Sequence, residues 1–177
     1  MTRPPVRRVT GLTERNALVH EGLRALTQRE SARRLARLGG SEPALKAVRR
    51  RRARAIGVIL ADTSVWIDHL RRGDATLAAE LEQGRVLVHP IVIGELACRT
   101  LRRRAAIPGL LRDLPAAPVA TDDEALAFIE SRRLTGPGIG YADVHLLAST
   151  VLAPGTRLWT RDRRLARLAR SIGVARR

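Results

Sequence analysis

Four carboxylates in this chain stand where an apolar run meets a helix. They are Asp62 in VILADTSVWID, Glu95 in IVIGELA, Asp143 in GYADVHLLA and Asp162 in RLWTRDRRL. Asp62 and Asp162 close strand-like runs, while Glu95 and Asp143 are expected to face inward on largely apolar helical stretches. Taken singly, Asp62 and Asp162 read equally as helix N-caps. Asp143 has Leu146, Leu147, Thr150 and Val151 at the i+3, i+4, i+7 and i+8 positions. A carboxylate on such an inward face needs a partner. If parallel strands bring all four to one edge, like charges crowd and raise one another's pKa. A divalent cation answers that repulsion, and oxygen-only ligation selects Mg²⁺ or Mn²⁺ over zinc. Ser64 and Thr160, close to the acids, are placed to hydrogen-bond the carboxylates of such a site.

The elements that must position these acids alternate. VILA, VLVHP and RLWT read as strands. SVWIDHLR, ATLAAELEQG, IVIGELACRTLRR, residues 107–113, residues 122–134, YADVHLLASTVLA and RRLARLARSI read as helices. Strands alternating with helices predict a parallel sheet covered on both faces, with its site beyond the carboxyl ends of the strands. GPGIG at 136–140 lacks the spacing and the following Lys-Ser/Thr of a phosphate loop. The other acids, Asp68, Asp74, Glu80, Glu82, Asp113, Asp122, Asp123, Glu124 and Glu130, read as surface or capping residues. Trp66, Trp159, Tyr141 and Phe128 read as packing residues. His20, His69, His89 and His145 share no metal-ligand spacing.

Ahead of Val58 the pattern changes. Pro4-Pro5 bars an early helix, and a long helix is predicted over 13–38, with Thr13 as N-cap and Gly39-Gly40 as its stop. Its apolar stripe (Leu18, Val19, Gly22, Leu23, Leu26, then Leu35 and Leu38) is too narrow to fold alone and needs a partner surface. Residues 41–57 read as an extended basic tail carrying the Arg49–Arg52 block. The chain therefore divides into 1–57 and 58–177.

Composition bounds the partners. Of 177 residues, 33 are Lys or Arg and 17 are Asp or Glu, a net charge of +16. Residues 1–57 hold 15 basic and 4 acidic residues, so the excess lies mostly in the front third. Such a balance suggests a polyanionic partner, although the near-exclusive use of Arg also fits a GC-rich coding bias. Aromatics at 2% argue against a base-stacking platform. A single cysteine, Cys98, excludes an internal disulfide and a cysteine-based zinc site. No apolar run approaches a membrane span, and no secretory signal is evident, so a cytoplasmic protein is expected.

Residues 58–177 resemble PIN-domain ribonucleases, specifically VapC-type toxins of bacterial toxin–antitoxin pairs. ILADTSVWIDHLR, IVIGELA, YADVHLLAS and LWTRDRRL carry the resemblance. It implies a three-layer α/β/α sandwich and an acidic quartet of Asp62, Glu95, Asp143 and Asp162 around Mg²⁺ or Mn²⁺. The implied activity is endoribonucleolytic hydrolysis of structured RNA such as tRNA, leaving 5′-phosphate and 3′-hydroxyl ends. Arg99, Arg102, Arg103, Arg161 and Arg163 would then contact the RNA backbone. The segment LTERNALVHEGLRALTQRESARRLARLGGSEPALKAV is similar to the second helix and tail of VapB antitoxins. MTRPPVRRVTG replaces the strand and first helix by which that family reads DNA, which puts DNA binding in doubt. The expected partners are RNA, a cognate antitoxin or the chain's own residues 13–57, and a second copy. The alternative reading is a self-inhibited toxin–antitoxin fusion with a regulatory or RNA-binding role and no nuclease activity. A Mg²⁺-dependent phosphatase would need a second Asp two residues after the first, where Ser64 stands.

Overall fold

The central strand is written in three residues. Ile59, Leu60 and Ala61 (β1, Ile59–Ala61) are all fully buried, so both faces of the strand are covered, as parallel strands require. In the computed structural model, which describes residues 15–44, 57–103, 105–136 and 138–176, β1 lies between two parallel neighbours. These are β2 (Val86–Leu87) and β3 (Arg157–Trp159). Ile59 is in register with Val86 on one side and with Arg157 on the other, and Ala61 pairs with Trp159. The expected strand VLVHP is shortened to two residues. Val88 bridges Ala116 instead, His89 caps the next helix, and Pro90 opens it.

The helices in chain order are α1 (Arg15–Arg37), α2 (Thr63–Arg72), α3 (Ala75–Glu82), α4 (Pro90–Ala97), α5 (Ile107–Arg112), α6 (Asp122–Ser131), α7 (Tyr141–Leu152) and α8 (Arg163–Ser171). Local chemistry sets most ends. Asp74 accepts from the backbone N–H groups of Thr76 and Leu77 to start α3, and Thr121 with Glu124 forms a reciprocal capping box at α6. The expected helix IVIGELACRTLRR stops at Ala97, well short of the arginines. Leu60, Trp66, Leu70, Leu96, Leu111, Leu147 and Leu165 belong to one continuous aliphatic core.

Helix α1 covers the predicted span, and Thr13 lies outside the described residues. Its partner surface is α3 and α5. Only the C-terminal half uses it. Ala32, Leu35 and Leu38 are buried, whereas Val19, Leu23 and Leu26 remain 54%, 56% and 53% exposed. The stripe is continuous in sequence, but the body beneath it ends. Residues 41–44 form a turn against that body, and the remainder of the basic tail lies outside the described residues.

Candidate acidic site

Asp62 follows the last residue of β1 and occupies the N-cap position of α2, yet its side chain makes no cap hydrogen bond. It turns toward the end of β3. The Ser64 hydroxyl donates to its Oδ2 at 2.5 Å and the Thr160 hydroxyl donates to the same oxygen at 2.7 Å. Both hydroxyls also accept backbone protons, Ser64 Oγ from Arg161 N–H at 2.9 Å and Thr160 Oγ1 from Asp162 N–H at 3.0 Å. Their own protons are thereby aimed at Asp62. Pairing of β1 with β3 builds this arrangement, because Ala61 and Trp159 are in register one residue before Asp62 and Thr160.

The other three acids close on the same region. Asp143 Oδ2 accepts from the Gly140 N–H at 3.0 Å, which fixes it across the first turn of α7. Asp162 Oδ1 accepts from Arg164 and Leu165 N–H, so the expected capping role at α8 is present. Glu95 Oε2 accepts the Thr63 hydroxyl. Glu95 is exposed, which corrects the expectation of an inward-facing glutamate. On the short helix α4, Val92 and Leu96 take the buried face and leave Glu95 beside it.

Electrostatics tie the four together. The Asp62 carboxyl is pushed above the ordinary carboxylate range by burial, and the nearby charge of Glu95 pushes the same way against the two hydroxyl donors. Asp143 is raised by burial and by the combined charges of Asp62, Asp162 and Glu95. Among the described residues, none of the four forms an ion pair with a basic side chain. As placed, no three His, Cys, Asp or Glu side chains among the described residues form a group that could hold a metal ion. The reason is visible in the hydrogen bonds above, which turn Glu95 to Thr63 and Asp162 to its helix. The donor chemistry nevertheless fits a hard divalent cation: carboxylate oxygens only, mutually repelling, and not ion-paired among the described residues.

The arginines expected to meet RNA divide. Arg99, Arg102, Arg103 and Arg163 are exposed. Arg161 is not available in the way expected. Its side chain is 6% exposed, pairs with Asp74 and, at 3.6 Å, with Asp68, and lies over the Trp159 ring. Its guanidinium is turned into the fold because two acids and an aromatic face stabilise it there. A further arginine escaped sequence reasoning. Arg164 donates from its backbone to Asp162 and from its guanidinium to the Gly138 carbonyl at 3.1 Å, two residues before the glycine that holds Asp143. Nothing in the local spacing announces that link.

Other expectations also changed. Asp68 and Glu80 are buried rather than surface acids. Asp68 pairs with Arg72 at 2.8 Å, and Glu80 with Arg85 and Arg176 at 2.7 and 2.8 Å. Trp66 and Trp159 are core residues, but Tyr141 is exposed, its hydroxyl donating to Asp122 at 2.9 Å. His145 faces away from the acids, toward Asp122 and Tyr141.

Comparison with known proteins bears directly on this arrangement. The PIN domain pattern matches residues 59–171, from the first residue of β1 to the last of α8. This chain belongs to the PIN-domain family. It is 47% identical over 118 residues to Ribonuclease VapC32 of Mycobacterium tuberculosis (strain H37Rv), covering 67% of this chain and 95% of that protein. Its N-terminal region is similar to Antitoxin VapB32 of the same strain, 52% identical over 44 residues, which is 25% of this chain and 68% of the antitoxin. No solved structure matches the chain significantly. The PIN domain here thus follows an antitoxin-like segment on the same polypeptide. No described helix is long and apolar enough to cross a membrane.

Proposed function

We propose that this PIN-domain chain is a Mg²⁺- or Mn²⁺-dependent endoribonuclease, the toxin component of a type II toxin–antitoxin system. It would hydrolyse phosphodiester bonds in structured RNA such as tRNA. The observation that supports this reading is electrostatic: Asp62, Asp162 and Glu95 all raise the proton affinity of Asp143, and none of the four is ion-paired among the described residues. The similarity to a ribonuclease named VapC32 agrees with it.

In this reading Asp62, Glu95, Asp143 and Asp162 hold the cation. When bound, the cation supplies charge neutralisation and Lewis acidity at the phosphoryl group. Ser64 and Thr160 donate to Asp62 Oδ2 and hold that carboxylate, which would orient it toward a bound cation. Arg99, Arg102, Arg103 and Arg163 contact the RNA backbone and bring the +16 chain onto a polyanion. The deciding experiment is cleavage of a defined RNA with mapped ends, in Mg²⁺, Mn²⁺ and EDTA, by the chain and by Asp143→Asn. Cleavage that survives EDTA or the substitution refutes the assignment.

A second reading, a self-inhibited fusion, is favoured by one observation: the antitoxin-like helix is docked on the nuclease body. A chain starting at Val58 that cleaves no faster than the full chain removes the inhibitory role. A homodimer and a cytoplasmic location complete the proposal.

A further inference from the structure

The antitoxin-like segment is fastened by more than apolar contact. Beneath Ala32, Leu35 and Leu38, a set of polar tethers runs across to the nuclease body. The Ser31 hydroxyl donates to Asp113 at 2.6 Å, at the end of α5. His69 on α2 accepts the Asp74 N–H at Nδ1, 3.2 Å, so its proton sits on Nε2 and is donated to the Leu35 carbonyl at 2.8 Å. That carbonyl lies in the last turn of α1 and also accepts the Leu38 N–H at 3.1 Å, so His69 adds a second donor there. Gly40 N–H donates to the His69 carbonyl at 2.8 Å, and Glu42 N–H donates to the Leu70 carbonyl at 2.7 Å. The Glu42 carboxylate, 2% exposed, accepts the N–H groups of Arg102 and Arg103 at 2.7 and 3.0 Å.

Steric fit is equally demanding. A Cβ at Gly39 would lie 3.0 Å from the Gly73 backbone and 3.0 Å from the His69 ring, and Gly40 adopts φ +79°. A side chain at Gly39 would press on the Gly73 backbone and the His69 ring, and the positive φ at Gly40 favours glycine there. The receiving groups are the last turn of α2, the turn at 101–103 and the end of α5. His69 is seven residues along α2 from Asp62, about 10 Å of helix axis, so the docking contacts on this helix lie at the end opposite Asp62.

We propose that residues 31–42 fill in cis the surface that a separately encoded antitoxin-like helix would need, so that this chain does not accept such a segment in trans. The two relatives named above are separate proteins, one matching the nuclease part and one the front segment. Here one polypeptide carries both, joined through residues 45–56. A short linker gives its own segment an effective concentration on the order of millimolar. A free segment with the same contacts, supplied at micromolar concentration, loses that competition by roughly a thousandfold. The inference concerns regulation of the nuclease proposed above and rests on that reading for its meaning. Its readout is binding, so the two fail separately.

The test uses a fluorescent peptide of residues 15–44 titrated into the full-length chain and into full-length Gly39→Leu, followed by anisotropy. The wild-type chain is expected to show no saturable binding up to about 100 µM, because its site is filled. The variant, whose own segment is expelled by the clash at Gly73, is expected to bind the peptide at least 100-fold more tightly. Equal binding by both chains overturns the proposal, as does a folded variant that binds no peptide. Amide exchange on the wild-type chain gives a check that needs no variant. Gly40 and Glu42 N–H are expected to exchange as slowly as the α2 core, and exchange at free-peptide rates overturns the proposal.

Discussion

Two regions of this molecule bury acids, and they do so in opposite ways. Where α1 docks, Glu42 accepts two backbone N–H groups, and elsewhere in the body Asp68 and Glu80 are each held by two arginines. At the cleft, Asp62 and Asp143 are desolvated beside other carboxylates, and their proton affinity rises as a result. The first set is held by opposite charge or by backbone donors, while the second repels itself. Burial alone would not separate the two, whereas the identity of the nearest charge does.

Substitutions at the two places should therefore move different observables. The largest effect is expected at the cleft. Asp143→Asn should lower RNA cleavage by at least about 100-fold, since even outer partners of metal ligands commonly cost that much. The same change should leave the cation-free melting temperature equal or higher, because it removes a repelling charge. A marked loss of stability would show that Asp143 belongs with the structural acids instead.

Glu42→Ala should do the reverse. It removes the shared acceptor of two N–H groups in partly buried hydrogen bonds, at about 1–3 kcal/mol in urea unfolding, with cleavage per folded molecule unchanged. A mutant of wild-type stability would mean that Glu42 is not the anchor described.

Acidity sharpens the contrast, with two opposing signs. Asp62 and Asp143 hold their protons more tightly when folded. Their contribution is present below the ordinary carboxylate value and is lost as pH rises through the raised one. Mn²⁺ should abolish that loss. His89 runs the other way. Burial and the neighbouring His145 lower it from 6.5 to about 4. The neutral ring is kept when folded, so stability falls as pH drops from 6.5 toward 4, by on the order of 3 kcal/mol at most. Unfolding curves from pH 7 to pH 4 should show the His89 component unaffected by Mn²⁺ and absent in His89→Phe.

The smallest expected effect belongs to Arg164. Arg164→Ala keeps the backbone cap on Asp162 but releases the Gly138 carbonyl. Mn²⁺ affinity by calorimetry should weaken roughly tenfold, the low end for outer partners of a metal site, with the melting temperature unchanged. Unaltered affinity would confine Arg164 to the loop.

Much of the frame was legible in the residues. The apolar triplet of β1, the Gly39-Gly40 stop, and the Asp–Thr/Ser and Thr–Arg–Asp junctions after β1 and β3 are short-range signals. Neighbours within four residues determine them, because caps, turns and periodicity are local physics. The order of the four acids along the chain followed from the same junctions.

What only the tertiary structure decided is which acid meets which partner. Glu42 reaches Arg102 and Arg103 across 60 and 61 residues, and Arg161 turns inward to Asp74 from 87 residues away. Glu95 lies outward because a short helix has room to bury only Val92 and Leu96. The apolar stripe of α1 runs its full length in the sequence, yet only the half above α3 and α5 is covered. Sequence spacing specifies which face a side chain takes on its own element. Which charge or surface waits opposite that face is set by long-range packing, and here that separates the acids paired within the fold from those that raise one another's proton affinity.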